Sequence, residues 1–146
     1  MTTRAIARSE RSGVPMALVF LDLDFFKTLN ERFGHQGGDD ALKEFARRLQ
    51  TCVRGTDLVA RIAGDEFVLI LEVLEDPAGA TAVARKVIEA MRLPFELRGG
   101  AAQLSCSIGV ALRQPGETDP EALLHRADQA LYDAKAKGRN CISETS

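Results

Sequence analysis

Residues 59–71 constrain the fold of this chain more than any other stretch. Two short runs of β-branched and aliphatic residues flank Ala63 and Gly64, a pattern typical of a β-hairpin that turns at these two residues. Two carboxylates, Asp65 and Glu66, follow directly. Carboxylates at the end of an apolar hairpin are costly to bury unless a partner compensates their charge. Because Mg²⁺ binds one or two carboxylates together with substrate phosphates, the hairpin indicates a metal site.

A second stretch supplies further carboxylates. Residues 16–21 form a continuous apolar run, which predicts a strand buried on both faces, and Asp22, Leu23, Asp24 and then Lys27 follow it. If this strand pairs beside the hairpin, acids from both converge on one point, and a nearby lysine suits a metal-bound nucleoside triphosphate. Taken singly, Asp-x-Asp is more often a strand end with a helix cap, and acids after a turn are often solvated. The co-occurrence of the two motifs favours the ligand site.

The composition limits the class of protein. A length of 146 residues favours one domain over residues 1–146, and a net charge of -2 argues against a general nucleic-acid surface. No apolar run reaches the length of a membrane span. The three cysteines, Cys52, Cys106 and Cys141, are odd in number and lack metal-like spacing. Reduced cysteines are typical of the cytoplasm, where we expect this protein to be.

The remaining pattern predicts an α/β domain with a mixed, mainly antiparallel central sheet packed by helices. Residues 1–13 indicate the end of an N-terminal helix closed by Gly13. Asp24 is expected to cap a short helix, and Asp119 a long one that ends with Lys135, Lys137 and Arg139. Those cations either complement the helix dipole or bind phosphate. The other expected elements are a glycine-rich loop at 34–39, helices at 40–53 and 78–91, strands at 95–97 and 103–112 joined through Gly99 and Gly100, and a last short strand at 141–143.

Several motifs, taken in order, resemble one family. They are LDLDFFKTLN at 21–30, FGH at 33–35, GD at 38–39, AGDEF at 63–67, SIG at 107–109 and ADQALYDAKAKGRN at 127–140. From about residue 12 onward the chain resembles the diguanylate cyclase (GGDEF) domains of bacteria. The resemblance implies a fold like that of class III nucleotide cyclases and polymerase palm domains. It also implies a reaction, the condensation of two GTP into cyclic di-GMP and two pyrophosphates with Mg²⁺ or Mn²⁺.

The resemblance also implies site residues. The metal would be held by Asp22, the Leu23 carbonyl and Asp65, with Glu66 assisting, and either Asp65 or Glu66 would act near the 3′-hydroxyl. Lys27 would stabilise charge at the α-phosphoryl group. The residues expected to bind GTP are Phe25, Phe26, Lys27, Asn30, Asp39, Gly64, Lys135 and Arg139. Among them, Asn30 and Asp39 would recognise the guanine edge, and Lys27, Lys135 and Arg139 the triphosphate.

The family also has an inhibitory product site, which begins with an Arg-x-x-Asp shortly before the signature. Arg54 and Asp57 match it, and Arg85 matches a further arginine of that site. The resemblance implies that cyclic di-GMP is the inhibitor, and an arginine fork suits it because it binds phosphate and the guanine edge in a bidentate manner. Outside this family, an Arg–Asp turn pair would be the simpler interpretation. An alternative is a catalytically weak or inactive cyclic di-GMP receptor, and a third is an inert dimerisation or GTP-sensing domain.

Two departures from the family pattern bear on activity. The signature begins with Ala63 where the family usually has Gly, which would cost about 1–2 kcal/mol if that position needs a positive φ. If it is the first central position of a type II turn, only Gly64 needs a positive φ and Ala63 is tolerated. Crowding of the nucleotide by the added methyl is a further alternative. The family's usual Asp-x-Leu-Thr-Gly-Leu-x-Asn-Arg-Arg segment is absent, so we expect a piece of a longer chain with an N-terminal regulatory domain. All charged and ligating positions are kept. The sequence therefore favours an active enzyme, a homodimer during catalysis, whose rate these departures would reduce.

Overall fold

The strand β1 (Ala17–Leu23) is the centre of the fold in the computed structural model, which describes residues 2–72 and 74–145. The helices are α1 (Thr2–Ser12), α2 (Phe26–Cys52), α3 (Ala78–Ala90) and α4 (Pro120–Ala136). The other strands are β2 (Leu58–Ala63), β3 (Glu66–Leu71), β4 (Phe95–Leu97), β5 (Gly100–Ala102), β6 (Cys106–Leu112) and β7 (Ile142–Thr145).

Five strands form one sheet in the order β2-β3-β1-β6-β7. β1 pairs antiparallel with both β3 and β6, and β2 pairs antiparallel with β3. Only the pair β6–β7 among these ladders is parallel, while β4 and β5 form a separate two-stranded hairpin. The predicted mixed, mainly antiparallel sheet flanked by helices is confirmed. The register places Asp22 opposite Glu66 on one side and opposite Ser107 on the other.

All seven residues of β1 are buried, which confirms the strand predicted from the apolar run. Because side chains alternate along a strand, Val19 and Leu21 contribute to a core with α2 and α3. Leu18 and Phe20 contribute to a second core on the opposite face, with α1 and α4. Asp22 is two residues from Phe20 and four from Leu18, so in the strand its side chain lies on the same face as theirs. Its side chain therefore lies on the face covered by α4.

The predicted glycine-rich loop at 34–39 is wrong. Only Gly34 leaves the helical conformation, with φ 76° and ψ 174°, and α2 continues beyond this kink. Gly37 and Gly38 are helical and buried. A Cβ on Gly38 would collide with the side-chain oxygen of Asn30. The glycine is therefore needed for the close approach of a side chain to the helix, and it does not mark a connector.

The predicted cap at Asp24 is also wrong. α2 begins at Phe26, after Phe25 in the left-handed conformation with φ 59°, and no side chain caps this end. The carboxylate of Asp24 instead accepts hydrogen bonds from the hydroxyl groups of Ser105 and Ser107. The cap predicted at Asp119 is confirmed, because its Oδ1 accepts from the backbone N–H of Glu121 at 3.0 Å.

Other boundaries differ from the prediction. Gly99 and Gly100 close the β4–β5 hairpin and do not join β4 to the long strand, which begins only at Cys106. The helix predicted to end at Gly13 is α1, and the predicted last strand is β7. In the parts of the chain that the structure describes, no helix is both long and apolar enough to cross a membrane.

Candidate active site

The hairpin turn consists of Gly64 and Asp65, because Ala63 and Glu66 pair as the last and first residues of their strands. The turn predicted at Ala63 and Gly64 is therefore one residue out of place. Gly64 has φ 50°, whereas Ala63 is not among the described residues with a positive φ. The condition under which Ala63 would carry a backbone cost is therefore not met. The side chain of Arg61 also holds the turn, since its Nε donates to the Gly64 carbonyl at 2.8 Å.

A cavity of about 360 Å³ lies where the turn, the end of β1, the beginning of α2 and the end of α4 meet. Each residue that lines it was expected in the metal site or the substrate site. The lining residues are Asp22, Leu23, Phe25, Phe26, Lys27, Asn30, Asp65, Lys135 and Arg139. The sheet register and the packing of α4 thus bring together residues that lie more than a hundred positions apart in the chain.

Asp22 is the most unusual group in this cavity. The residue is only 4% exposed, and its Oδ2 binds the Lys135 ammonium at 2.6 Å. Its Oδ1 is buried without a hydrogen-bond partner in the described part of the chain. Burial raises the pKa of this carboxyl above its ordinary value; Lys135 opposes the shift, and the charges of Asp65 and Asp24 reinforce it. A buried carboxylate oxygen without a partner is an open position for a cation.

The donor set suits a hard divalent cation that also binds phosphate. Asp22, Asp65 and the Leu23 carbonyl line the same cavity, and Mg²⁺ binds one or two carboxylates with substrate phosphates completing its shell. Within residues 2–72 and 74–145, no three His, Cys, Asp or Glu side chains are grouped to hold a metal by themselves. Glu66 lies opposite Asp22 on the same side of the sheet but does not line the cavity.

Positive charge surrounds the other side of the cavity. Lys27, Lys135 and Arg139 line it, as does the first turn of α2, and a helix N-terminus favours anions. The Arg139 guanidinium lies 5.1 Å from the centre of the Phe25 ring, which is 64% exposed. Lys137 is different, because its ammonium donates to Ser143 Oγ at 3.3 Å. The cavity can therefore hold a polyanion beside a metal.

The structure separates the two residues expected to recognise guanine. Asn30 lines the cavity already described, whereas Asp39 lines a second one of about 450 Å³ with Leu42 and Phe67 among its apolar walls. The Asn30 amide occupies the space that a Cβ on Gly38, the residue before Asp39, would fill. The shared role of Asn30 and Asp39 stays a prediction.

Arg54 and Asp57, which match the expected inhibitory-site motif, form a hydrogen-bonded pair. The Arg54 backbone N–H donates to Asp57 Oδ2 at 3.0 Å, and its guanidinium Nη2 donates to the Glu72 carbonyl at 2.8 Å. Asp57 Oδ1 accepts from the Glu72 backbone N–H at 3.2 Å, which fixes the pair against the end of β3. Arg85 lies on the exposed surface of α3. Its participation with Arg54 and Asp57 stays a prediction.

The role of Asp24 was missed by the sequence reasoning. Its carboxylate accepts from Ser105 Oγ, Ser107 Oγ and the Asn140 backbone N–H, which are 81, 83 and 116 residues away in the chain. The second acid of the Asp-x-Asp motif was the available signal. Local capping rules assigned it to the following helix, since partners at such separations are invisible to them.

Comparison with known proteins gives a consistent answer. A family model described as diguanylate cyclase, GGDEF domain, matches residues 1–141. The response regulator PleD of Caulobacter vibrioides is 41% identical over 144 residues, which cover 94% of this chain and 31% of PleD. The diguanylate cyclase DgcS of Shewanella oneidensis is 40% identical over 138 residues, covering 94% of this chain and 45% of DgcS. The chain thus spans less than half the length of these curated relatives.

Solved structures agree with the sequence relatives. The crystal structure of the GGDEF domain of TpbB from Pseudomonas aeruginosa superposes with a TM-score of 0.95 at 37% identity, covering 99% of this chain and 91% of that one. The GGDEF domain of DgcB from Caulobacter crescentus, solved in complex with c-di-GMP, gives a TM-score of 0.89 at 31% identity, covering 98% and 82%. With the Asp22–Asp65 cavity in place at the end of its sheet, this chain belongs to the family of diguanylate cyclase GGDEF domains.

Proposed function

We propose that the domain catalyses the condensation of two GTP molecules into cyclic di-GMP. The 3′-oxygen of one GTP bonds to the α-phosphorus of the other, the bond from that phosphorus to the β-phosphate oxygen breaks, and pyrophosphate leaves. A second, equivalent step closes the ring. The observation that carries the proposal is the cavity in which two carboxylates, Asp22 and Asp65, face three cations. The family membership and the diguanylate cyclases among the relatives support it.

Mg²⁺ or Mn²⁺ would be held by Asp22, the Leu23 carbonyl and Asp65, with Glu66 assisting, and would neutralise phosphate charge and lower the pKa of the attacking hydroxyl. The unpaired Oδ1 of Asp22 supports this assignment, because a cation would satisfy it. The salt bridge from Lys135 already compensates part of the Asp22 charge. Lys135 would thus contact both the carboxylate and the phosphates.

The remaining side chains bind and orient the nucleotide. Arg139 and Lys135 bind the triphosphate, and Lys27 stabilises charge that develops on the α-phosphoryl group. Phe25 is the N-cap of α2 and Phe26 its first residue, so the backbone N–H groups of this first turn would bind the same anion, with Gly64 of the hairpin turn beside it. Positioning of this kind accounts for much of the acceleration in phosphoryl-transfer enzymes.

Guanine recognition is assigned to Asn30 and Asp39. The carboxylate of Asp39 can accept from the N1–H and the 2-amino group of guanine, a pair of donors that adenine lacks, so GTP is favoured over ATP. Leu42 and Phe67 supply apolar walls beside Asp39 for a flat base. A base in this position would leave its triphosphate near α2 and Lys27, on the Asn30 side.

The proton of the 3′-hydroxyl must go to a base. Asp65 and Glu66 are the candidates, and the position of Asp65 in the cavity lining favours Asp65. Each domain would bind one GTP, so catalysis requires two domains that face each other as a homodimer. An N-terminal regulatory domain in the full-length protein would control that encounter.

The test is to incubate the protein with GTP and Mg²⁺ and to measure cyclic di-GMP by chromatography at several protein concentrations. Product should rise more steeply than linearly with protein, because two domains must meet. Asp65→Ala combined with Glu66→Ala should abolish it, whereas Glu89→Ala, which removes an exposed acid of α3, should not. Undiminished product from the Asp65/Glu66 double variant would refute the mechanism.

We also propose that cyclic di-GMP inhibits the enzyme through Arg54, Asp57 and Arg85. The Arg54–Asp57 pair supports this site, since contacts with the Asp57 carboxylate and the Glu72 carbonyl fix the position of the guanidinium. Calorimetry should show cyclic di-GMP binding that Arg54→Ala weakens; unchanged affinity would exclude the site. Binding of cyclic di-GMP without any GTP turnover would instead establish the receptor alternative.

A further inference from the structure

The buried carboxylate of Asp24 connects three segments, two of which contribute residues to the Asp22–Asp65 cavity. Its residue is 5% exposed, and its Oδ2 accepts from Ser105 Oγ at 2.6 Å and from the Asn140 backbone N–H at 2.9 Å. Its Oδ1 accepts from Ser107 Oγ at 2.5 Å. The Asp24 backbone N–H donates to the Ser105 carbonyl at 2.9 Å. The end of β1, the beginning of β6 and the segment after α4 are thus held together by one side chain.

Two of these segments contain backbone conformations that side chains rarely adopt. Phe25 follows Asp24 directly and has φ 59°, while Arg139 and Asn140 have φ 65° and 46°. The left-handed conformation is unfavourable for residues other than glycine. It therefore persists where surrounding contacts enforce it, and such positions cluster at functional sites. The hydrogen bond from Asn140 to Asp24 is a contact of this kind, because it fixes the strained segment by its backbone.

The consequence is the position of Arg139. Its guanidinium lies 5.1 Å from the centre of the Phe25 ring, and both residues line the cavity. Asp24 immediately precedes Phe25 and binds the backbone of Asn140, the neighbour of Arg139. It therefore fixes both the cation and the aromatic ring on which that cation rests, although it does not line this cavity itself.

We propose that Asp24 is a positioning residue for nucleotide binding, acting through Arg139. It holds the segment 138–140 closed against the end of β1, so that the guanidinium faces the phosphates of a nucleoside triphosphate. This inference rests on the proposed function for the identity of the ligand, but the connection between Asp24 and Asn140 is independent of it.

The decisive experiment is a double-mutant cycle on the binding of a GTP analogue with a non-hydrolysable α,β linkage, in the presence of Mg²⁺. Loss of a hydrogen bond to a charged group corresponds to about 10- to 100-fold in affinity, so Asp24→Ala and Arg139→Ala should each weaken binding by about that factor. The double variant should bind about as weakly as either single variant. Asn30→Ala is the comparison, because Asn30 is assigned to the guanine. In a protein that already carries Asn30→Ala, Asp24→Ala should weaken nucleotide binding by the same factor as in the wild type. If the loss of affinity in the Asp24→Ala/Arg139→Ala double variant equals the product of the two single losses, the proposal is overturned.

Asp24→Asn is the matched control for folding and charge. An amide can present its oxygen to Ser105 and to the Asn140 N–H while its NH₂ group donates to Ser107 Oγ, so it should retain most of the affinity. An Asp24→Asn protein that binds as weakly as Asp24→Ala would contradict positioning through hydrogen bonds.

Hydrogen exchange separates a failure of this proposal from a failure of the proposed function. In the nucleotide-free protein, Asp24→Ala should accelerate exchange of the Asn140 amide by about 10-fold or more, and Asp24→Asn should not. Unchanged exchange would overturn the proposal whatever the ligand. If the wild type binds no GTP analogue, the proposed function fails, and exchange alone decides whether Asp24 holds the segment.

Discussion

Gly109 of β6 is the position at which α4 lies directly against the sheet, and Gly109→Ala tests how that contact supports the site. A Cβ at this position would lie 2.7 Å from the Ala130 carbonyl carbon and would collide with the backbone of Ala127 and Leu131. Carbon atoms in contact are normally 3.5–4.0 Å apart, so α4 must move outward by about 1 Å. The obstacle is backbone, which cannot rotate away as a side chain can.

The expected cost follows from overpacking. A methyl forced into a well-packed core typically destabilises a protein by about 1–3 kcal/mol. For a domain of this size, each kcal/mol lowers the melting temperature by roughly 2–4 °C, so a decrease of roughly 2–12 °C is expected. The displacement also lengthens the 2.6 Å contact between Lys135 and Asp22, because Lys135 lies on α4. Nucleotide binding should therefore weaken along with stability.

The assay is thermal unfolding followed by circular dichroism, together with calorimetry of nucleotide binding below the transition. Gly79→Ala on α3 is the matched control, because its methyl meets only Leu74 Cδ2 at 3.5 Å. That substitution should stabilise the protein by about 0.5–1 kcal/mol, since alanine favours helices over glycine. A Gly109→Ala protein as stable as the wild type would refute the close packing of α4 on β6.

Asp22→Asn should stabilise the metal-free protein increasingly as pH rises above the ordinary carboxyl pKa of 3.8. The folded-state pKa is raised, so the native state retains a proton that the unfolded state has released, and wild-type stability falls as pH rises through that raised pKa. Urea unfolding of both proteins should show this widening gap, and a pH-independent gap would contradict it. Arg48→Ala should cost about 3 kcal/mol, because buried Arg48 donates to the carbonyls of Ala90, Leu93 and Pro94. Arg48 and the exposed Arg47 both form a salt bridge with Glu44, so Arg47→Ala is the control. It should cost less than about 1 kcal/mol, and equal losses from the two variants would exclude the buried contacts of Arg48 as the cause.

The site could be anticipated from the sequence where a local pattern determines the geometry. The apolar run before Asp22 indicates a strand buried on both faces, and burial of all of β1 follows from the same residues. The sequence predicts convergence of acids if this strand pairs beside the hairpin, and the strand does pair there, with Asp22 opposite Glu66. Local signals also sufficed for the cap at Asp119, since its acceptor and its donor are two residues apart.

Contacts between distant residues were not accessible in this way. Asp24 has the residue type and position expected of a helix cap, but its carboxylate accepts from two serines more than 80 positions later in the chain. Gly37 and Gly38 resemble a connector, because sequence does not distinguish a glycine that frees the backbone from one that makes room for a neighbour. The packing shows which of the two roles applies at Gly38, because the Asn30 side chain occupies the space that a Cβ on Gly38 would need.

Ala63 gives the clearest test of that distinction, because the family usually has glycine there. The residue is exposed, ends β2 opposite Glu66 and has no positive φ, so its backbone needs no glycine. Ala63→Gly should lower stability by about 0.5–1 kcal/mol through the greater freedom of glycine in the unfolded chain. It should leave cyclic di-GMP production unchanged, since Ala63 does not line the Asp22–Asp65 cavity. A large rise in production with glycine would show that the alanine methyl obstructs the bound nucleotide, and that the first signature position is kept small for the ligand and not for the turn.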